Sequence, residues 1–402
     1  MATALHLLHL LNYHLAREYG VNTTKTADYE KWKLSHQPFH WYVDFYPLMS
    51  GGGFDAVIGN PPYIQLSEVA NYGVSRYSCS DCGNLYAVML ERSATLVHPT
   101  GRTGFIVPVS AISTDGYSSL QKIYASQRTY VSCFDDRPSR LFDGLEHIRL
   151  VIVLGQQSNL PLWLMTRYHK WTTDERSNLF AKLVYFPAAI SPIANAIPKM
   201  GDALEESILQ KVQAAGKSIS SHTTRGSSSS LNYSRKVGYF LQVLDFEPVV
   251  LSGDGSRRPP SEFKTVYFNS ALEARAALGA LNSSLFYWFM TLLSDCRHLN
   301  KREVEIFPIP SALLNPAGFS VVDQMITELM ADLQTKSEHR VMNFRHDRLT
   351  VQCILPKKSW AFIQHIDQLI ADAVQLSPAE ADYIASYDVK YRIGQSVDDC
   401  ND

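Results

Sequence analysis

The stretch "FDAVIGNPPYIQ", residues 54–65, decides how this chain is read. Phe54, Ala56, Val57 and Ile58 form a short apolar run with β-branched members, and Gly59-Asn60-Pro61-Pro62 ends it abruptly. The pattern predicts a buried parallel strand that delivers a rigid loop at its carboxyl end, the place where open α/β sheets bind their ligands. A residue before proline is pushed out of the helical region, and each proline fixes its own φ and lacks an N–H. Asn60 to Tyr63 is therefore held extended, and its carbonyls have no partners within the loop. At average residue frequencies Asn-Pro-Pro-Tyr turns up in roughly one chain in a thousand of this length.

The 402 residues allow two or three domains, each with its own core. Hydrophobic residues at 46% and charged residues at 19% exclude a disordered or fibrous protein, and no apolar run approaches the ~20 residues of a membrane span. The opening "MATALHLLHLLNYHLAREYG" has no cationic leader before its apolar run and no small-residue cleavage site. It reads as an amphipathic helix of a cytoplasmic protein, with no membrane partner expected. Lys plus Arg (37) nearly balances Asp plus Glu (39), so any basic surface has to be local. The six cysteines, Cys79, Cys82, Cys133, Cys296, Cys353 and Cys400, are too few and scattered for a disulfide framework. Cys79 and Cys82 form one C-x-x-C with no second pair and no histidine at ligand spacing, so they read as ordinary thiols and no metal is expected.

Beyond the loop, Asn84 is placed to cap a helix over "LYAVMLERSATLV", with Leu85, Val88, Met89, Leu96 and Val97 on one side and His98-Pro99-Thr100-Gly101 as the stop. "TGFIVPV" (103–109) predicts a buried strand, "GYSSLQKIYASQ" a helix, "TYVSCF" a third strand and "HIRLVIVLG" (147–155) a fourth. The alternation is that of a parallel α/β sheet. The fourth strand follows only "DDRPSRLFDGLE", too short for a helical crossover, which predicts antiparallel entry. "GKSISSHTTRGSSSS" (216–230) reads as a flexible polar stretch near a domain boundary. After it come mixed strands ("KVGYFLQVLDF", "KTVYFN"), an aromatic-rich helix ("LNSSLFYWFMTLL", 281–293), the basic turn "DCRHLNKRE", "IFPIP" (306–310) and a mostly helical end. The expected divisions are a helical lead over 1–53, a catalytic region over 54–190, a target-recognition domain over 191–312 and a helical region over 313–402.

The loop has a chemistry of its own. The side-chain oxygen of Asn60 and the carbonyl of Pro61 can accept both N–H bonds of a planar amino group. That arrangement draws the nitrogen toward a tetrahedral form and concentrates its lone pair for attack on an electrophilic methyl. Tyr63 offers an aromatic face for the ring that carries the amino group. A base taken from duplex DNA must first be flipped out.

These residues resemble the adenine-N6 DNA methyltransferases of type IIG restriction-modification systems with a Taq-type recognition domain. "NLYAVMLERSATLVHPTGRTGFIVP" (84–108) looks like the helix and strand that follow the catalytic loop in that family. "RLFDGLEHIRLVIVL" (140–154) is similar to the segment whose phenylalanine packs on the flipped adenine, which implies that role for Phe142. "ALGALNSSLFYWFMTLLSDCRHLNKREVEIFPIP" (277–310) resembles the end of the recognition domain, and "YDVKYRIG" (387–394) a common ending there. The resemblance implies the C-terminal part of a class I, Rossmann-like methyltransferase sheet, followed by an α+β DNA-recognition domain and C-terminal helices. It further implies double-stranded DNA as partner, S-adenosyl-L-methionine as cofactor, and Asn60, Pro61, Pro62 and Tyr63 as catalytic residues. Arg137 and Arg140 near the pocket, and Arg297, His298, Lys301 and Arg302 beside the aromatic helix, are the candidates for DNA contact.

One part of the family's pattern has no counterpart. The family holds S-adenosylmethionine on a glycine-rich turn after its first strand, followed by an acidic residue for the ribose. Gly51-Gly52-Gly53 stands before a strand instead, and Asp55 is the one weak candidate for cofactor contact. "FHWYVDFYPLMSGGGFD" (39–55) resembles the segment ahead of the catalytic loop in members whose cofactor-binding half lies far upstream. The expectation is half a sheet with an unpaired edge, completed by a protein partner carrying the cofactor-binding half. The competing expectation is a non-catalytic DNA-recognition subunit or an inactive truncated fragment. The same loop can also serve methylation of a glutamine amide or of RNA, and the large C-terminal region with its basic turn favours DNA.

Overall fold

The structure, a computed structural model, describes residues 2–69, 72–343 and 347–394. The chain divides into two compact units, Met1–Ser132 with Leu150–Leu164 and Cys133–Arg149 with Met165–Asp402.

The first unit opens with four helices, α1 (Ala2–Glu18), α2 (Thr26–His36), α3 (Trp41–Asp44) and α4 (Tyr46–Ser50). Ala16, Tyr29 and Trp32 make a small core for the first two. Then follow β1 (Phe54–Gly59), α5 (Leu85–Ala94), β2 (Val97–Pro108), α6 (Ser110–Ser113), α7 (Ser118–Ala125), β3 (Gln127–Phe134), β4 (Leu150–Gln157) and β5 (Leu162–His169). The strand order is β1-β2-β4-β3. β1 runs parallel to β2, with Ile58 opposite Gly104 and Gly59 opposite Phe105. β4 lies antiparallel to β2, Ile152 opposite Ile106, as the short preceding loop requires.

Two expectations fail here for identifiable reasons. β1 is not buried: among the described residues it stands at the edge with β2 as its one neighbour, none of its six residues is buried, and Ile58 is 80% exposed. Parallel strands normally carry cover on both faces, so an apolar run left open in this way is unusual. The helix after the loop also ends sooner than its apolar spacing suggests. The Leu96 carbonyl accepts from the Phe54 N–H at 2.9 Å, so Leu96 already bonds to β1 and Val97 opens the strand beside it, and Met89 faces outward.

The second unit adds β6 (Phe186–Pro187), α8 (Ala203–Ala214), β7 (Gly216–Ser218), β8 (Ser230–Ser234), β9 (Val243–Leu244), β10 (Val250–Leu251), β11 (Arg257–Arg258) and β12 (Phe263–Tyr267). There follow α9 (Ala271–Leu281), α10 (Ser284–Leu293), α11 (Lys301–Ile306), β13 (Pro308–Pro310), α12 (Pro316–Thr335), β14 (Glu338–Asn343), β15 (Arg348–Cys353), α13 (Trp360–Val374), α14 (Pro378–Ser386) and α15 (Val389–Gly394). Residues 216–230 are more ordered than their polar composition suggests. β7 pairs with β13 there, and Ile219 and His222 are buried. The antiparallel hairpin β14–β15 interrupts the expected helical end.

Every residue of α10 is buried, so the aromatic run Phe286-Tyr287-Trp288-Phe289 is the core of this unit and not an exposed face for nucleic acid. Among the described residues no single helix is long and apolar enough to cross a membrane. The tail closes on the same core. Arg392 of α15 is buried with its guanidinium 4.5–4.8 Å from the rings of Phe240, Tyr287 and Trp360. It donates to the Tyr239 carbonyl and the Ser284 hydroxyl, each at 3.0 Å. A desolvated cation stacked on aromatic rings is a strong fixture when its N–H groups are also satisfied. Lys170, buried, lies 3.1 Å from Asp135 and 2.9 Å from Asp388, so the turn before α15 is fastened as well.

The β1–β2 ladder sets a sharp demand at Gly101, where an added Cβ would stand 2.8 Å from the carbonyls of both Phe54 and Asp55. Gly101→Ala is expected to lower unfolding free energy by ~1–3 kcal/mol in urea melts. Gly116→Ala, where the methyl meets nothing within 4 Å, should change it by less than about 0.5 kcal/mol. Equal effects at the two positions would contradict the packing described.

Candidate active site

β1 delivers Asn60-Pro61-Pro62-Tyr63 at the open edge of the first unit. Asn60 and Pro62 are exposed, Pro61 is buried and Tyr63 is half-buried. The two prolines offer no N–H, so the loop is held from its flanks. On the far side Leu66 donates to the Gly83 carbonyl and Leu85 to the Ile64 carbonyl, each at 2.9 Å, which lays Ile64-Gln65 against the start of α5. Asn84 caps that helix as its position predicts, accepting from the Tyr86 N–H at 3.3 Å. Among the described residues no hydrogen bond reaches the Pro61 carbonyl, which leaves that acceptor free as the proline pair implies.

Tyr63 is the inner anchor. Its hydroxyl oxygen lies 2.9 Å from Asn60 Oδ1 and 2.9 Å from the carbonyl oxygen of Ile106, one residue past the last β1–β2 pair. Burial pushes its phenol up to about 12, so the proton stays on at neutral pH. Beneath it Tyr86 is fully buried, edge-on to Tyr63 at 6.0 Å and stacked on Tyr117 at 5.4 Å, with its hydroxyl 3.4 Å from Ser110 Oγ. Burial raises Tyr86 well above the ordinary phenol range. Tyr86, Tyr117 and Ser110 were not marked by the sequence, because they come from three separate segments and share no spacing.

The cofactor expectation has little to stand on in this unit. Gly52 and Gly53 adopt φ +110° and +118°, and the Gly53 Cβ position lies 2.5 Å from the Leu96 carbonyl while that of Gly52 lies 2.7 Å from the His98 ring. These glycines let the chain pass close to the start of β2, which accounts for them without a ligand. Asp55 is exposed on the edge strand. Neither the triglycine nor Asp55 therefore forms a cradle for S-adenosylmethionine. Cys79 and Cys82 are buried free thiols whose interaction with each other holds Cys79 up and Cys82 down, and no cluster of metal-ligating side chains exists among the described residues.

The other candidates lie in the second unit. Phe142 is partly buried in the loop between β3 and β4, whose ends are tied by Arg149 Nε 3.1 Å from Asp136 and 3.7 Å from Asp135. Burial works against the charge of Arg149, but Tyr168, Asp135 and Asp136 outweigh it and hold the guanidinium above its ordinary range. Arg176 donates to the carbonyls of Arg140 (3.2 Å) and Leu141 (2.9 Å), and Arg297 to that of His147. Arg140 pairs with Glu146 at 3.0 Å, and the Arg137 N–H donates to Asp135 at 3.2 Å. The basic turn is largely neutralised in place. His298 lies 3.3 Å from Asp295, Lys301 3.1 Å from Glu305 and Arg302 2.7 Å from Glu303.

Comparison with known proteins finds a family match in the first part of the chain. The profile of the Eco57I restriction-modification methylase family matches residues 4–142. A putative type II restriction enzyme and methyltransferase, RM.MjaORFECS2P of Methanocaldococcus jannaschii, is 32% identical over 101 residues, 25% of this chain and 8% of that protein. Type II methyltransferase M.TthHB8I of Thermus thermophilus is 29% identical over 97 residues, 21% of this chain and 23% of that protein. The chain thus matches less than a quarter of the length of either relative. Among solved structures, the type IIL restriction-modification enzyme MmeI in complex with DNA has a TM-score of 0.44 at 8% identity, covering 82% of this chain and 56% of that one. A likeness at that level carries no functional argument. The first third of this chain is similar to restriction-modification methyltransferases.

Proposed function

We propose that this chain carries the catalytic loop and the recognition part of a DNA adenine-N6 methyltransferase in a restriction-modification or related phage-defence system. The observation that carries the reading is the loop itself: an exposed Asn60 followed by a Pro61 carbonyl that no hydrogen bond reaches among the described residues, at the carboxyl end of a parallel strand. Two acceptors so placed bind both hydrogens of an exocyclic amino group and direct its lone pair outward. Tyr63 supplies an aromatic face for a flipped base. For Phe142 a stacking role rests on the resemblance of residues 140–154 alone. Arg137, Arg140, Arg297, His298, Lys301 and Arg302 are the proposed DNA contacts of the second unit, with the carboxylates that now pair Arg140, His298, Lys301 and Arg302 exchanged for phosphate.

The methyl donor needs a cradle that neither the triglycine nor Asp55 provides, and the edge of β1 suggests where it is supplied. An exposed parallel strand with Ile58 open to solvent fits a further strand from the segment or protein that binds S-adenosylmethionine. Calorimetric titration of S-adenosylmethionine is expected to show binding only when the chain is mixed with the product of its neighbouring gene. Ile58→Glu should abolish that binding, and tight binding by the chain alone would overturn the proposal.

Asn60→Ala is expected to reduce single-turnover methyl transfer in the assembled enzyme by roughly a hundredfold or more. DNA affinity should change less than about twofold, because the cations of the second unit carry it. Full activity in that variant would sink the assignment. Sequence-specific DNA binding with no methyl transfer in any assembly would favour a recognition subunit instead, a reading to which the missing cradle lends weight.

A further inference from the structure

Tyr63 has a second task that its place in the loop does not suggest. Its hydroxyl carries one proton and faces two groups, Asn60 Oδ1 and the Ile106 carbonyl, each at 2.9 Å. The Ile106 carbonyl can only accept. If the proton went to Asn60, two oxygens would face each other at Ile106 with nothing between them. If the proton goes to Ile106, the atom of Asn60 that faces the phenol must be a donor. The two ends of an asparagine amide have almost the same shape, and the hydrogen-bond network decides which is which.

We infer that Tyr63 is a positioning residue for Asn60: its O–H donates to the Ile106 carbonyl, and its oxygen accepts from Asn60 Nδ2, which turns Asn60 Oδ1 outward. The inference rests on the proposed role of Asn60 as acceptor of an amino group, and it explains how that acceptor is kept in the correct sense. An exposed asparagine otherwise rotates freely between a productive amide and one that presents N–H groups to an N–H donor. Ile106 is a fixed reference because it sits inside β2, paired with Ile152 of β4. The task is separate from stacking, which uses the face of the Tyr63 ring and not its hydroxyl. Tyr86, edge-on to that ring at 6.0 Å, keeps the phenol aimed at both partners.

The test reads the amide directly, with neither DNA nor methyl donor present, so it stands apart from the catalytic reading. In the full chain labelled with 15N-asparagine, the Asn60 side-chain signals are identified by their loss in Asn60→Asp. One of its two amide protons is expected to be protected from exchange with water, and Tyr63→Phe to abolish that protection. The Asn84 side-chain signals, which report the capped helix beside the loop, should be unchanged in Tyr63→Phe and show that the loop is still folded. Two rapidly exchanging Asn60 protons in the native chain would overturn the inference, and so would protection that survives in Tyr63→Phe. Loss of methyl transfer in Asn60→Ala together with such a result would leave the catalytic role standing and remove only the positioning role of Tyr63.

Discussion

The constraint on which the rest depends is that a Pro-Pro loop cannot hold itself. Pro61 and Pro62 have no N–H to give, so a loop that leaves its carbonyls free for a ligand must be fixed by what surrounds it. The chain meets this with the parallel β1–β2 ladder before the loop, the bonds from Leu66 and Leu85 after it, and the Tyr63 phenol between them. Gly101 is needed for the first of these, Asn84 for the second and the buried Tyr86 for the third. Rigid placement of acceptors is what electrostatic catalysis requires, since a group already in position costs no reorganisation when charge develops.

The two units invest their apolar residues differently. In the second, α10 is buried on all sides, and a cationic tail residue, Arg392, is drawn into an aromatic cage to close it. In the first, Ile58 and the aromatic residues Phe39, Tyr42 and Tyr46 remain more than half exposed. Burial of such side chains contributes about 1.5–3 kcal/mol each, so leaving several of them open is a substantial loss unless something covers them. A sheet edge with an apolar face is also a hazard for unwanted pairing. Both facts agree with the proposal that a further segment or protein covers this surface.

Much of the local structure around the loop is legible in the sequence. The strand-then-loop pattern located Asn60 to Tyr63, the N-cap of Asn84 followed from its side chain, and the length of the loop after β3 required an antiparallel β4. What was not legible depends on tertiary context. The apolar run of β1 reads as buried because sequence does not record how many neighbours a strand has. Helix periodicity carries through Leu96 and Val97, yet the Leu96 carbonyl bonds to β1 and Val97 opens β2. The aromatic run 286–289 reads as part of an aromatic-rich helix, and only packing shows that it is the core. The basic turn reads as free cations, whereas Asp295, Glu303 and Glu305 stand within reach of three of the four. Tyr86, Tyr117 and the Ile106 carbonyl act through distance in space alone.

The most direct test of the central claim is the identity of the methylated product. The chain, co-expressed with its neighbouring genes in a host free of adenine methylation, is supplied with methyl-deuterated methionine, and the host DNA is digested and resolved by mass spectrometry. The account predicts deuterated N6-methyladenine with the native chain and none with Asn60→Ala. Label found only on cytosine, or equal N6-methyladenine in the Asn60→Ala strain, would contradict it.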